Sequence, residues 1–267
     1  MTTRKEPQMT PPTHGKLVPP EQYRAHYDPL SGFESVCSLA RQRRNLAFLA
    51  ATRPRRILEV GCGSMILADM AKSLSLDFES WTVVEPQPDF VAAAQAAIGA
   101  DGRIKVLQGY LEACHDTLRD RTPDGFDAVL IAGLLHETAA PDVLLAAAVA
   151  LTAPDGLVLA SVPNARSFHR LLAVEAGLIP APQTLSARDL TLGHPVVFDA
   201  EGLKALMSGA GLIDLTLDGY LFKPFTNAQM ELLLKAADRD LTDGLIGLGR
   251  LFPDQAAEIC VTGRKPH

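Results

Sequence analysis

The sequence has few cysteines, no surplus of positive charge and no long apolar run, and each of these absences excludes a class of protein. The four cysteines are scattered and form no CxxC pair, so they favour neither a disulfide scaffold nor a cysteine-ligated metal. The formal net charge of −6 argues against general binding to nucleic acid, whose phosphates require a basic face. The basic stretches at 41–44 and 53–56 are expected to carry solvated arginines on an outer helix and its exit turn.

Membrane-spanning and export signals are also missing. The longest apolar stretch, residues 143–153, is too short to cross a bilayer. Residues 1–22 are rich in proline and polar side chains and lack the apolar centre of a signal peptide. We therefore expect a cytoplasmic protein with a flexible N-terminal tail over residues 1–22 and with no membrane partner.

Strand-like and helix-like segments alternate along most of the chain. With 267 residues and 47% hydrophobic side chains, the chain is long enough for one large domain with a substantial core. Seven segments have the length and composition of strands: 56–60, 81–85, 104–108, 126–133, 156–164, 213–222 and 256–265. Helical spacing or a helix-start signal marks 35–52, 65–74, 88–98, 141–152 and 200–211, the last with Asp199 as its N-cap.

This alternation predicts an α/β fold, a Rossmann-like, seven-stranded and mostly parallel sheet with helices on both faces. Ligands of such sheets bind at the carboxyl ends of the strands. Residues 23–54 are expected to form an N-terminal helical cap on the domain of residues 55–267. Helical lid insertions are expected at 165–195 and 219–253, because connections of that length are usually functional.

The most informative segment is the strand–turn–helix joint RILEVGCGS, which contains Gly61 and Gly63. These glycines fit the start of the dinucleotide fingerprint G-x-G-x-x-G, but Ile66 stands where the third glycine belongs. Glu59 would repel a pyrophosphate, whereas it can accept hydrogen bonds from an ammonium group. Glu85 ends the second strand, where a carboxylate can accept both hydroxyls of a ribose. The two carboxylates together favour a cofactor with an amino acid on adenosine over NAD.

Motifs in a fixed order resemble the class I S-adenosylmethionine-dependent methyltransferases, in particular the small-molecule type 11 and ubiquinone-methyltransferase-like members. The resemblance spans about residues 55–215. It is carried by LEVGCGS (58–64), VVEP (83–86), VLQGYLEA (106–113), FDAVLIAGLLHE (126–137), APDGLVLASVPN (153–164) and GHPVVFDAEGLKALMSGAGL (193–212).

The resemblance implies which residues contact the cofactor, S-adenosyl-L-methionine. The methionine moiety would be surrounded by Glu59, Gly61, Cys62 and Gly63, with Cys62 serving as a small residue rather than as a nucleophile. Ribose, adenine and the remaining contacts would involve Glu85, Pro86, Tyr110, Leu111 and Gly133. Tyr27 would either close over the cofactor, as N-terminal segments of this family do, or simply anchor the tail.

The sequence departs from the family pattern at two positions. Met65 stands where many members have a further glycine, so the helix after the turn cannot pack as closely against it. Tyr110 stands where many members have an aspartate that meets the adenine amino group. Adenine is therefore expected to be held by stacking or by backbone contacts.

Two histidines are the candidate catalytic residues. His136 follows the fourth strand, where the family places the methyl acceptor, and a histidine can accept a proton at neutral pH. His194 precedes the helix at 200, on the rim of the same cleft. Either histidine could instead only brace its loop. His169 is expected at an exposed helix position. The three histidines could ligate a metal if they all converged, but no carboxylate or cysteine spacing supports this, so no metal site is predicted.

The expected activity is S-adenosylmethionine-dependent methyl transfer to a hydroxyl or amine of a small metabolite such as a phenol, a sugar or a natural-product intermediate. Alignment of the acceptor can supply most of the rate, with a histidine acting as base where the acceptor must lose a proton. A non-catalytic cofactor-binding subunit or regulator on the same fold is the alternative. A homodimer through the second insertion or the N-terminal helix is left open.

Overall fold

The computed structural model describes residues 32–63 and 66–267. Within these residues lies one sheet of seven strands: β1 (Arg56–Val60), β2 (Ser80–Glu85), β3 (Ile104–Gln108), β4 (Phe126–Ala132), β5 (Thr152–Pro163), β6 (Ile213–Tyr220) and β7 (Glu258–Arg264). The strand order is β3-β2-β1-β4-β5-β7-β6. Strands β1 to β5 pair in parallel, and β7 runs antiparallel to both of its neighbours. The predicted α/β fold with a mostly parallel seven-stranded sheet is confirmed.

Ten α-helices connect or flank the strands in the described part of the chain. They are α1 (Gly32–Thr52), α2 (Leu67–Ser73), α3 (Pro88–Ile98), α4 (Leu111–Arg121), α5 (Pro141–Leu151), α6 (Phe168–Glu175), α7 (Ala187–Leu192), α8 (Ala200–Gly209), α9 (Asn227–Ala236) and α10 (Thr242–Leu251), with a 3-10 turn at Pro253–Gln255. No described helix is both long enough and apolar enough to span a lipid bilayer.

The central strands are apolar on both faces because helices cover the sheet on both sides. Alternate residues of β1 show this directly, since Ile57 joins one buried cluster and Leu58 joins the other. The first cluster includes Trp81 and the buried face of α1. The second includes Leu145 of α5 and Leu203 of α8. The sheet is therefore the middle layer of three, and its carboxyl edge stays available for a site.

Local signals set most helix starts. Pro88 begins α3, and the side chain of Gln87 accepts a hydrogen bond from the Asp89 N–H as its cap. Asp199 caps α8 as predicted, with its carboxylate accepting from the Gly202 N–H at 2.9 Å. The sequence analysis did not identify α4, because only Leu111 and Leu118 of this helix are buried and its polar face carries little periodic signal.

The two predicted insertions contact each other. Phe168 of the first lies 5.1 Å from Phe222 of the second, measured between ring centroids, and Phe222 lies 6.0 Å from Phe252. Helix α9 packs on α1 and α10 packs on β6. The tail, cap and lid boundaries stay a prediction, and Tyr27 lies outside the described residues.

Helix α1 is held to the sheet by two partly buried ion pairs, so the expectation of solvated arginines over 41–44 was wrong for two residues. Arg41 donates two hydrogen bonds to the Glu258 carboxylate, at 3.0 and 2.6 Å, and its side chain is only 16% exposed. Arg44 pairs with Asp218 at 2.7 Å. The acidic partners lie on β6 and β7, more than a hundred residues away, and only the sheet order brings them beside α1.

Replacement of Arg41 tests how much its ion pair with Glu258 contributes to the stability of the fold. Arg41→Met should lower the free energy of unfolding by about 3–5 kcal/mol, because Glu258 stays buried without its counter-charge. Arg43→Met on the same helix is the matched control, since its partner Asp243 is solvent-exposed and such pairs contribute about 1 kcal/mol or less. Chemical denaturation of both variants measures the difference. Equal losses would contradict a structural role for the Arg41 pair.

Candidate functional site

A cavity of about 260 Å³ lies at the carboxyl ends of β1, β2 and β4. All predicted cofactor-contacting residues in the described part of the chain line it: Glu59, Gly61, Cys62, Gly63, Glu85, Pro86, Tyr110, Leu111 and Gly133. Leu192 of the first insertion also lines it, whereas no described residue of 219–253 does. The site therefore stands where the strand pattern predicts a ligand.

The turn after β1 needs its glycines. Gly61 and Gly63 adopt φ values of +75° and +55°, which residues with a Cβ rarely adopt. The Gly61 N–H donates to the Val84 carbonyl at 2.8 Å, which ties the turn to the neighbouring strand. Met65 lies outside the described residues. The backbone of the turn forms one wall of the cavity.

The carboxylate of Glu85 holds this turn in place. One oxygen accepts hydrogen bonds from the N–H groups of Cys62 and Gly63, at 3.0 and 3.2 Å. The other accepts from the Gln87 N–H at 2.9 Å. Burial raises the pKa of Glu85, and these three N–H groups oppose that shift. A carboxylate has about four acceptor positions, so capacity remains for a ligand hydroxyl.

Glu59 is a buried carboxyl group in the cavity wall. It is 5% exposed and accepts one hydrogen bond, at 3.0 Å, from the indole N–H of Trp81. Burial raises the pKa of Glu59 to about 8, with the Trp81 bond opposing the shift and the Glu85 charge adding to it. The group is therefore largely neutral at pH 7 and would ionise beside a cation. An ammonium group fits this position.

Burial also raises the pKa of the Cys62 thiol, and the neighbouring carboxylates of Glu59 and Glu85 add to that effect. A thiol held in its neutral form is a poor nucleophile. The environment thus favours the interpretation of Cys62 as a small residue that fits the turn.

Helix α1 contributes three cavity-lining side chains that the sequence analysis missed, namely Arg41, Gln42 and Asn45. The Oδ1 atom of Asn45 is buried and accepts no hydrogen bond from the described residues. The guanidinium of Arg41 lies 3.1 Å from the position that a Cβ of Gly133 would occupy, so a larger residue at 133 would displace it. The sequence did contain a signal for these residues, because two amide side chains, at 42 and 45, interrupt the apolar face of the predicted helix.

The adenine end of the predicted site is more open. The Tyr110 side chain is 57% exposed at the N-cap position of α4, whereas Leu111 is buried beneath the cavity. An exposed aromatic ring at the cavity edge is available for stacking on a planar ligand. Stacking of adenine on Tyr110 stays a prediction.

The two candidate catalytic histidines lie together beside the cavity. His136 and His194 are buried, with ring centroids 4.7 Å apart and planes at 77°. Their Nε2 atoms lie 3.6 and 3.8 Å from one oxygen of Glu137. Glu137 lines the cavity, while neither histidine is among its lining residues in the described part of the chain.

Local structure orients His194. It follows Gly193, which ends α7 in the left-handed region, and its Nδ1 lies 3.3 Å from an oxygen of Asp189. The other Asp189 oxygen completes a capping box with Ser186 at the start of the same helix. Burial favours the neutral acid, but hydrogen bonds from His194 and Ser186 keep the pKa of Asp189 well below its usual range. The Asp189 carboxylate thus both caps the start of α7 and orients the His194 ring.

The expectation that His169 is exposed was wrong. It is half-buried on α6, and burial, together with the charges of Lys223 and Arg170, lowers its pKa to about 3. It does not join the cluster of His136 and His194. Phe168, next to His169, contacts Phe222 of the second insertion, and sequence periodicity cannot show a contact between such distant segments.

Comparisons with known proteins identify the family of this domain. Residues 34–217 match the family model described as a methyltransferase domain, which is more than half of the chain. No curated protein sequence matches the chain.

Several solved structures share the fold. An S-adenosylmethionine-dependent methyltransferase of Mesorhizobium loti has 16% identity and a TM-score of 0.57 over 84% of this chain and 98% of its own. A possible histamine N-methyltransferase of Thermotoga maritima has 18% identity and a TM-score of 0.51 over 85% and 92%. Phosphoethanolamine N-methyltransferase 2 of Haemonchus contortus has 17% identity and a TM-score of 0.55 over 84% of this chain and 53% of its own. At these identities the likeness shows the fold alone.

The raised pKa of Glu59 predicts that this carboxyl group destabilises the ligand-free protein when it ionises. Its contribution to stability is present while the group is protonated and is lost as the pH rises from about 4.5 to about 8. Glu59→Gln keeps an acceptor for Trp81 but cannot ionise. Without ligand, this variant should become more stable than the wild type as the pH rises through that window, as measured by chemical denaturation.

Glu79→Gln is the matched control, because Glu79 is an exposed residue just before β2, paired with Arg55. It should leave the pH dependence of stability unchanged. A constant stability difference between Glu59→Gln and the wild type from pH 5 to pH 8 would contradict the raised pKa.

Proposed function

The chain belongs to the class I S-adenosylmethionine-dependent methyltransferases, and on this basis we propose that it transfers a methyl group to a hydroxyl or amine of a small metabolite. Its cofactor, S-adenosyl-L-methionine, supplies when bound a methyl group already activated by the sulfonium charge. The observation that carries the proposal is the placement of the His136–Glu137–His194 cluster beside the cavity that holds Glu59 and Glu85.

Glu59 and Asn45 are proposed to hold the amino-acid end of the cofactor. Both face one cavity, and both have buried oxygen acceptors with capacity left for the three N–H groups of an ammonium. Cofactor binding then gives the Glu59 carboxylate a positive partner, and the carboxyl group loses its proton to solvent. Burial of the charge becomes favourable only in the complex.

Glu85 is proposed to accept a ribose hydroxyl at its remaining acceptor position while it keeps its bonds to the glycine turn. Substitution of Glu85 would disturb both the ribose contact and the glycine turn. The experiment therefore changes the ligand and leaves the protein unaltered. Weaker binding of a 2′-deoxy analogue of S-adenosylhomocysteine would support the contact, and equal affinity for both ligands would remove it.

His136 and His194 are proposed to act on the acceptor. Positioning of reacting groups can supply about 7–11 kcal/mol of a barrier, so a methyl transfer needs few reactive side chains. An imidazole within reach of the acceptor can take the proton that a hydroxyl or ammonium must lose. The buried, carboxylate-held position of His194 suits an orienting residue, and His136, next to the end of β4, suits a base.

A small acceptor fits the charge and the cavity wall better than a macromolecule. The net charge is −6, and the basic residues Arg41 and Arg44 are engaged in ion pairs. Phenols, sugars and natural-product intermediates remain the proposed class. The N-methyltransferases among the similar folds keep amines beside hydroxyls as candidate acceptors. Cytoplasmic location and a homodimer stay predictions.

Proton release predicts the pH dependence of ligand affinity. S-adenosylhomocysteine should bind more tightly as the pH rises from 5.5 to 7.5, by up to about tenfold per pH unit, because Glu59 must ionise in the complex. Calorimetry in buffers of different ionisation enthalpy measures both the affinity and the released proton. Glu59→Gln should bind weakly and without this slope. A wild-type affinity independent of pH would contradict the assignment of Glu59 to the ammonium.

Turnover tests the catalytic half of the proposal. Labelled methyl transfer to a panel of phenols, sugars and amines should identify an acceptor, and His136→Ala should then lower kcat by about 10²–10⁴. S-adenosylhomocysteine affinity should stay near the wild-type value. His115→Ala is a matched histidine control on α4, away from the cluster.

His136→Gln separates hydrogen bonding from proton transfer. Recovery of turnover in this variant would mark His136 as an orienting group. Wild-type rates in both variants from pH 6 to pH 9 would show that His136 only braces its loop. Tight cofactor binding with no transfer to any acceptor or to components of a lysate would favour the alternative, a non-catalytic binding subunit.

A further inference from the structure

Two neighbouring side chains and a third that is distant in sequence form a cluster with the composition of a metal site. His136, Glu137 and His194 each offer one ligating atom, and these atoms all lie within 4.8 Å of one another. The two histidine Nε2 atoms lie 3.6 and 3.8 Å from the same Glu137 oxygen. These two separations are longer than hydrogen bonds.

Asp189 presents His194 as a ligand. Its carboxylate lies 3.3 Å from Nδ1, which assigns the ring proton to that nitrogen and leaves the Nε2 lone pair facing Glu137. This Nε2 atom is buried and has no hydrogen-bond partner among the described residues. A buried acceptor without a partner is costly, and a carboxylate behind a histidine is the common support of a metal ligand.

We propose that His136, Glu137 and His194 bind a divalent transition-metal ion of the Zn²⁺ type. Metal–ligand bonds of about 2.0–2.2 Å place the ligand atoms of a tetrahedral ion about 3.3–3.6 Å apart. The separations of 3.6 and 3.8 Å from Glu137 lie at or just above this range, and the remaining pair of ligand atoms lies within 4.8 Å. Side-chain rotations would bring the three atoms together on binding. Two imidazoles and one carboxylate suit zinc-like ions, whereas Mg²⁺ and Ca²⁺ prefer oxygen ligands alone.

The sequence analysis predicts no metal because it tests only spacing along the chain. The structure supplies the third ligand from Glu137, the residue next to His136. Glu137 lines the cavity together with Thr138, so the proposal includes a fourth position that opens towards the cavity. Three protein ligands with an open position are typical of a catalytic rather than a structural ion.

The catalytic role of the ion rests on the proposed function, whereas the binding of the ion to this cluster does not depend on it. An acceptor hydroxyl oxygen at the open position would lose its proton to solvent more readily, since a bound metal lowers the pKa of such a group. The oxygen then forms the bond to the methyl carbon as the sulfur–methyl bond breaks, and the electron pair of that bond stays on sulfur. In this arrangement His136 holds the ion rather than the proton.

Titration of the chelator-treated full-length protein with Zn²⁺ tests the site by calorimetry without cofactor. We expect one site, a loss of affinity of about 100-fold or more in His136→Gln and His194→Gln, and a loss of about 10- to 100-fold in Asp189→Asn. His115→Gln should bind as the wild type does. Mg²⁺ should not compete. Unchanged Zn²⁺ affinity in both cluster variants would overturn the proposal.

Co²⁺ provides a readout of the ligand environment. Visible d–d absorption typical of a four- or five-coordinate ion should appear with the wild type and not with His194→Gln, and acetohydroxamate should shift it by entering the open position. A six-coordinate spectrum, or one insensitive to acetohydroxamate, would contradict an open site. Thermal unfolding of the metal-free variants verifies that they fold. Failure of S-adenosylhomocysteine binding with Zn²⁺ binding intact would reject the proposed function and leave the metal site standing.

Discussion

The hydrogen bonds from three backbone N–H groups to the Glu85 carboxylate organise the site. Two of them come from the glycine turn after β1, so the conformation of that turn depends on a side chain at the end of β2. A second carboxyl group, Glu59 of β1, lies buried in the same cavity wall, and burial raises its pKa to about 8. Burying two acids together is unfavourable unless a cation joins them. Glu59 and Glu85 therefore destabilise the ligand-free protein, and their proximity becomes favourable when an ammonium group binds beside them.

Helix α1 both stabilises the fold and lines the cofactor cavity. Arg41 pairs with Glu258 of β7, which also accepts a hydrogen bond from the buried Tyr220 hydroxyl, and so ties the N-terminal helix to the far half of the sheet. The same guanidinium packs against Gly133 at the end of β4, and the next turn of the helix presents Asn45 to the cavity. A change that loosens this ion pair would therefore open the cofactor wall as well as weaken the fold.

Sequence reasoning was most successful where the relevant contacts are local. The strands β1 to β4, the glycine turn and the N-cap of α8 follow from apolar runs, positive φ angles and capping side chains within a few residues. Every predicted cofactor residue in the described part of the chain lines one cavity, because consecutive parallel strands all end at the same edge. The start of β5 was placed four residues late, since a turn-like APDG segment lies inside the strand and its pairing with β4 is irregular. Helix α4 was missed because it buries too few residues to show a period.

The sequence by itself determined the fold class, the position of the cofactor turn and the two acids that characterise it, because each depends on short-range pattern and on the rule that parallel strands need crossover helices. Only the tertiary structure decided that Arg41 is paired and partly buried, that His169 is half-buried, and that His136 and His194 meet at Glu137. These contacts join residues whose separation along the chain carries no periodic signal. Their geometry depends on how β7 inserts beside β5 and on how the segment before α8 folds back over the carboxyl edge of the sheet.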